Sequence, residues 1–187
     1  MSIIQTIYGY NSHNVLNKTD FDINLVGSDG YGETGYESIE NLVKQYSDYF
    51  NDKTVFYDLG SGIGKIVLHI GLKYNPKKSC GIEYSNERYK TSLGLMDKYN
   101  ITNQNISFIN DNILNCDISD ATVIYTDNTL FPNNIDSEIY NMIPTDCLVI
   151  SRKSFKQSWV NKELFKDGFT SSTNYGTNTI YTFLKKI

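Results

Sequence analysis

Residues 55–64, Val-Phe-Tyr-Asp-Leu-Gly-Ser-Gly-Ile-Gly, carry the clearest chemistry in the chain: an apolar stretch breaks into three alternating glycines, and a later apolar stretch ends in Glu83. Gly60, Gly62 and Gly64 have no Cβ, so the backbone there can turn through positive φ and come close to a ligand. A helix expected from about Lys65 adds unpaired N–H groups and a positive dipole end, which suit a carboxylate or phosphate. Glu83 stands where an acid grips ribose hydroxyls. Asp111, following Ile-Ser-Phe-Ile-Asn, stands where a carboxylate accepts a hydrogen bond from an adenine amine. Together these residues predict a nucleoside cofactor lying against main chain.

The spacing argues against two nucleotide loops. A dinucleotide fingerprint needs Gly-x-Gly-x-x-Gly, and Lys65 stands where its last glycine would fall. A P-loop needs four residues between its glycines followed by Lys-Ser/Thr, whereas three separate Gly60 from Gly64 and Ile66 follows Lys65. Residues 58–64 instead resemble motif I of the class I S-adenosylmethionine (SAM) methyltransferases. That resemblance implies that Asp58, Gly60, Ser61, Gly62 and Gly64 form a loop holding the methionine end of SAM. Asn112 occupies a place where an aromatic ring would stack on adenine, so that packing is expected from Tyr84 or Ile113.

The elements that position these residues follow from periodicity. Thr34-Gly-Tyr-Glu37 fits a capping box, and Ile39, Leu42, Val43 and Tyr46 continue at helical spacing, which predicts a helix to about Phe50. Strand patterns lie at 54–59, 79–83, 105–109, 121–126, 146–151, 169–174 and 178–184, with helical patterns at 64–74, 86–99 and 134–143. Alternating strands and helices predict an α/β fold with a doubly wound, mostly parallel sheet. The last two strands, joined at Tyr175-Gly-Thr177, predict an antiparallel hairpin at the C-terminal end. Class I methyltransferases have this Rossmann-like plan. Residues 34–187 are expected to form its core, and 1–33, polar and without a periodic element, an arm over the cofactor. In such a sheet the loops at 60–64, 83–85, 110–113 and 126–131 converge beyond the strands' carboxyl ends.

Composition narrows the function classes. At 187 residues the chain suits one domain. No apolar run approaches the roughly 20 residues that cross a bilayer. Met1 to Tyr10 carry neither a basic residue nor a long apolar core, so an intracellular protein is expected. Cys80, Cys116 and Cys147 are widely spaced, which predicts free thiols rather than disulfides or zinc. A net charge of −4 with two short basic doublets argues against direct nucleic-acid binding and favours basic, lysine-rich protein partners. His13 and His69 have no partner at metal-ligand spacing, so no metal is assigned, and His69 is expected buried and hydrogen-bonded.

A more specific likeness rests on four segments in order: Tyr31-Gly-Glu33-Thr34, residues 58–64, Gly81-Ile-Glu83, and Val-Ile-Tyr-Thr-Asp-Asn-Thr-Leu-Phe at 123–131. It continues through Leu-Val-Ile-Ser-Arg-Lys-Ser-Phe at 148–155 to Tyr181. Together they resemble the disruptor-of-telomeric-silencing histone-lysine methyltransferases, and in size the chain is similar to ATP-synthase c-subunit lysine methyltransferases. The resemblance implies transfer of a methyl group from SAM to a protein lysine, on a histone or another lysine-rich protein. It also implies that Tyr31, Glu33 and Thr34 lie at the cofactor, with Tyr31 and Thr34 enclosing the methionine part, and that Asp127, Phe131 and Tyr181 border the lysine channel. The chain departs from the family at Asp127, where the family has Asn, and at Asn112, where it has Phe.

A lysine amine must be neutral to attack, and an apolar aromatic channel lowers its pKa by desolvation. Phe131, Phe155, Trp159, Tyr175 and Tyr181 are the candidate walls, Phe131 foremost. Asp127 would orient the amine or accept its proton, yet its charge also favours ammonium. Two other readings stay open. Asn128-Thr-Leu-Phe131 resembles, without its prolines, the Asn-Pro-Pro-Phe motif of nucleobase-amine and glutamine methyltransferases. The change to Asp at 127 also fits a SAM-binding module without turnover.

Overall fold

A computed structural model describes residues 1–11, 32–155, 165–173 and 176–185, with side chains left undescribed over 165–179. His13, Tyr31, Trp159 and Tyr175 lie outside the described residues. Seven strands form one sheet in the order β3-β2-β1-β4-β5-β7-β6. They are β1 (Val55–Leu59), β2 (Lys78–Glu83), β3 (Ile106–Asn110), β4 (Val123–Thr126), β5 (Leu148–Ser151), β6 (Phe165–Thr173) and β7 (Gly176–Leu184). The first five pair in parallel, and β7 runs antiparallel to both β5 and β6. The doubly wound α/β sheet expected from the sequence is therefore present, with its antiparallel hairpin. Thr173 pairs with Gly176, so Gly176 and Thr177 lie within β7 rather than in the connecting turn.

Five helices are described: α1 (Ile3–Tyr8), α2 (Tyr36–Gln45), α3 (Lys65–Tyr74), α4 (Asn86–Lys98) and α5 (Asn133–Met142). All five residues of β1 are buried, as parallel strands covered on both faces should be. Its odd positions Val55, Tyr57 and Leu59 pack with Ile82, Ile124, Val149 and α5's Ile139. The even position Phe56 packs on the opposite side with Val123, Leu148 and α2's Ile39, Leu42 and Val43. This period of two fixes which way each rim residue points.

Two local expectations are corrected. Thr34 does not cap α2, whose N-cap is Gly35 with no side-chain cap, because the Thr34 hydroxyl is drawn inward to a 2.7 Å bond with the Tyr125 phenol. The helix also stops at Gln45, with a 3₁₀ turn at Ser47–Tyr49 before β1. Second, the N-terminal residues hold a helix. Ser2 and Gln5 form a reciprocal capping box at α1, and Ile7 is fully buried against Ile63, Val67, Leu68 and Leu95. The pattern Ser-x-x-Gln followed by Ile7 was the available clue. Its brevity hides it, since a six-residue helix holds only through tertiary packing.

Candidate active site

Strand order reverses between β1 and β4, where β2 leaves to one side and β5 lies on the other, and a crevice opens at the carboxyl ends at such a point. Gly60, Gly62 and Gly64 line it with φ of 83°, 56° and 80°, each in the left-handed region that favours glycine. The Gly60 and Ser61 N–H groups both donate to the Ile82 carbonyl, at 2.9 and 3.0 Å, which pins the loop against β2. A Cβ on Gly64 would collide with the Phe108 ring. Helix α3 starts at Lys65, directly behind the loop as the sequence predicted, and has no side-chain cap.

Glu83 ends β2 almost fully buried and braces the loop. One carboxylate oxygen accepts from the Gly62 N–H at 2.7 Å and the other from the Ser85 N–H at 2.8 Å. At the end of β1, burial pushes the Asp58 carboxyl well above the usual carboxylate range, and the charges of Glu83 and Asp127 push it further. A ligand carrying a sulfonium and an ammonium would relieve this crowding of acids. The Ser61 hydroxyl is buried without a hydrogen-bond partner among the described residues, so it is available to a nucleoside ligand. Glycine cradle, acid cluster and orphaned hydroxyl all fit SAM.

Asp111 lies on the same rim, one residue past Asn110, which pairs with Glu83 and donates to the Glu83 and Tyr84 carbonyls at 2.9 and 3.1 Å. Asp111 is exposed, and its Oδ1 accepts from the Asn112 N–H and the Asn115 side chain. Asn112 in turn caps the 3₁₀ turn Ile113–Asn115 through Leu114. Tyr84 is half-buried beside them.

Across the crevice, Thr126 pairs with Ser151 and Ser151 with Tyr181, so the ends of β4 and β5 and the middle of β7 form a second rim. Asp127 caps the 3₁₀ turn Asn128–Leu130, accepting from the Thr129 hydroxyl at 2.7 Å. The Phe131 ring lies over the glycine loop, 3.3 Å from where a Gly60 Cβ would stand, joining the two rims. Asn128 is fully buried and its amide is engaged: it donates to Asp136 at 3.0 Å and the Lys153 carbonyl at 3.1 Å, and accepts from the Lys153 N–H at 2.8 Å. Lys153 completes the clamp with a 2.6 Å ion pair to Asp136 and a bond to the Phe131 carbonyl. Asn128 thus holds the loop, with its amide turned to Asp136 and Lys153. Phe155 is likewise corrected as a channel wall, because it packs edge-on to Phe183 inside the core. Tyr181 is half-buried at the rim.

The N-terminal residues reach the cofactor side. Buried Lys65 donates to the Tyr8 and Tyr10 carbonyls at 3.2 and 3.0 Å and to Glu33 at 2.8 Å, fastening α1 and the segment before α2 to the start of α3. Glu33, expected at the cofactor, is held by this lysine. The Tyr8 phenol lies 3.1 Å from His69 Nδ1, and His69 Nε2 lies 2.6 Å from Glu40. Burial lowers the His69 pKa despite Glu40, so at neutral pH the ring is uncharged, donating to Glu40 and accepting from Tyr8. His69 is buried and bonded, as expected. Cys80 and Cys147 are buried free thiols, and Cys116 is half-buried and free. Lys65, Arg152, Tyr8 and Tyr125 were missed as site residues. A charged side chain directly after a glycine loop or a β-strand was the available clue for the first two.

Comparison with known proteins gives one consistent picture. Residues 23–175 match the family of histone methylation protein DOT1. A protein-lysine N-methyltransferase of Saccharolobus islandicus (strain REY15A) is 30% identical over 128 residues, covering 65% of this chain and 76% of that protein. The histone-lysine N-methyltransferase, H3 lysine-79 specific, of Drosophila melanogaster is 24% identical over 139 residues, which are 67% of this chain but 7% of that protein. Among solved structures, an RNA methyltransferase from Salinibacter ruber with S-adenosylhomocysteine superposes with a TM-score of 0.63 at 18% identity, covering 82% of this chain and 94% of the other. Magnesium protoporphyrin IX methyltransferase from Synechocystis with bound SAM gives 0.64 at 13% identity, covering 100% and 98%. At these identities the structures share the fold alone, whereas the family match over 23–175 spans the glycine loop, the acids and the Asp127–Phe131 turn: the chain belongs to the DOT1 histone methylation protein family of class I SAM-dependent methyltransferases.

Proposed function

We propose that this chain is a SAM-dependent protein-lysine N-methyltransferase acting on a basic, lysine-rich protein segment, with α1 fastened beside the cofactor loop through Lys65. The observation that carries the reading is the seating of Phe131 over Gly60, which brings an aromatic wall from the second rim onto the cofactor loop. Bound there, SAM supplies an electrophilic methyl group, which passes to the amine lone pair while the sulfur keeps the electrons of the broken bond. Gly60, Ser61, Gly62 and Gly64 cradle the methionine end, Glu83 the ribose and Asp111 the adenine, with Tyr84 and Asn112 beside it. Asp58 balances the cofactor's positive charge. Thr34, its hydroxyl bonded to Tyr125, borders the methionine part. Desolvation by Phe131 and Tyr181 lowers the amine pKa, so the lysine gives its proton to bulk water as it enters and before water is shut out, and Asp127 accepts an N–H bond that aims the lone pair. The engaged amide of Asn128 counts against the nucleobase or glutamine alternative, which needs that amide facing the substrate amine.

The test is incubation with radiolabelled SAM and separate pools of histones, nucleosomes, lysate protein and RNA, followed by mass spectrometry of the labelled product. Methyl-lysine in a basic protein is expected. Label that survives protease and is lost to nuclease overturns the lysine reading, and cofactor binding without any turnover supports the binding-module alternative.

A further inference from the structure

Arg152 follows β5 directly, is 7% exposed, and donates its backbone N–H to the Thr126 carbonyl at 3.2 Å, which fixes it beside the β4 rim. Its Nε lies 3.9 Å from Asp127 Oδ2. A guanidinium this buried is costly unless a nearby charge compensates it. The pair sits where the proposed substrate amine enters. From this juxtaposition we infer that Arg152 is a positioning residue that offsets the charge of Asp127, so that the carboxylate can orient the lysine amine without holding it as ammonium. The inference rests on the lysine-site reading above and assigns a role to Arg152 that neither the cofactor loop nor the channel walls require.

The physical need is specific. A carboxylate within about 4–6 Å of an amine raises the amine pKa by roughly 1–3 units. Several acidic groups surround this position: Asp127 itself, Asp58 on β1, which feels the charges of both Asp127 and Glu83, and Glu83 on β2. The Tyr125 phenol on β4 feels both Asp127 and Arg152, the Tyr8 phenol on α1 faces Tyr125 and Asp58, and Tyr181 on β7 pairs with Ser151, next to Arg152. Lys153 is held by Asp136 and the Phe131 carbonyl. Arg152 faces Asp127 from β5 and supplies the opposing charge. With the pair nearly neutral, desolvation by Phe131 and Tyr181 lowers the amine pKa against less opposing negative charge. With Arg152 removed, Asp127 would trap ammonium, which has no lone pair to offer.

The test compares pH profiles of kcat/KM for a lysine peptide in the wild type, Arg152→Met, Arg152→Lys and the double variant Asp127→Asn/Arg152→Met. Alongside it, calorimetry measures n-butylamine binding to each protein with S-adenosylhomocysteine across the same pH range. Arg152→Met should move the rise of kcat/KM up by about one pH unit, cut transfer at pH 7 about tenfold, and tighten n-butylamine binding at pH 7. Arg152→Lys should keep the wild-type profile, and the double variant should return towards it. A merely structural Arg152 would give a loss that is constant across pH and is not rescued by Asp127→Asn. That result, or an Arg152→Met profile that coincides with the wild type, overturns the inference. If the wild type binds S-adenosylhomocysteine yet neither methylates the peptide nor binds n-butylamine, it is the lysine-site reading that fails, and the inference falls with it.

Discussion

The two rims of the crevice are built by different means. On the β1–β2 side, main chain does the work: three glycines at positive φ, two amides on the Ile82 carbonyl, and a glutamate bonded to the Gly62 and Ser85 amides. On the β4–β5–β7 side, side chains do it: Asn128, Asp136 and Lys153 clamp a short turn so that Asp127 and Phe131 project from it. A backbone cradle fits the constant part of a reaction, the cofactor. A side-chain clamp can change with the acceptor while the cradle stays. The contrast also separates what a substitution should do on each side, binding on the first and transfer or loop stability on the second.

The largest effect is expected where a side chain is forced into the cradle. Gly62→Arg, at φ 56°, should abolish SAM and S-adenosylhomocysteine binding in isothermal titration, and retained binding would mean that the loop is not the cofactor site. Next is Phe131→Ala, which should slow transfer about a hundredfold while changing cofactor affinity only a few-fold, because a misplaced or solvated nucleophile costs rate rather than binding. Equal losses in both would erase the distinction between the rims.

Asp58→Asn should split two readouts in opposite directions. The Asp58 carboxyl is raised in the folded protein, so its stabilising contribution is complete below the unfolded value of about 3.9 and is lost as pH rises through the folded value. At pH 7 the ligand-free variant should therefore melt higher than the wild type, while SAM binds it about tenfold more weakly for want of a charge partner. A thermal melt with and without SAM checks both. The smallest change is expected from Asn128→Ala, which should lower unfolding stability in urea by about 2 kcal/mol as the part-buried Lys153 N–H loses its acceptor, with cofactor affinity preserved.

Element types were legible because the periodicities are strong. Six strands and three helices begin within two residues of their sequence expectation, and the seventh strand, β6, starts at Phe165 rather than 169. Failures cluster where a short-range pattern competed with a long-range contact. Thr34-x-x-Glu37 has the form of a capping box, but the Thr34 hydroxyl finds Tyr125, 91 residues away. Asn128 looks like a substrate-facing amide after a strand, yet it turns inward to Asp136 and Lys153. Phe155 looks like a channel aromatic and is core.

Glycine spacing by itself determined the cofactor cradle, because positive φ and close backbone approach are properties of single residues and need no partner to be recognised. Strand periodicity likewise determined which loops stand at the carboxyl ends, because the rim follows from where each strand stops. Only the tertiary structure decided the rest: that Lys65 binds the N-terminal segment, that Asn128 is scaffold, and that Arg152 stands against Asp127. Each of these is a polar side chain with several satisfiable partners. Burial makes an unpaired choice costly, so the partner is fixed by what folding brings within reach and not by neighbours in the chain.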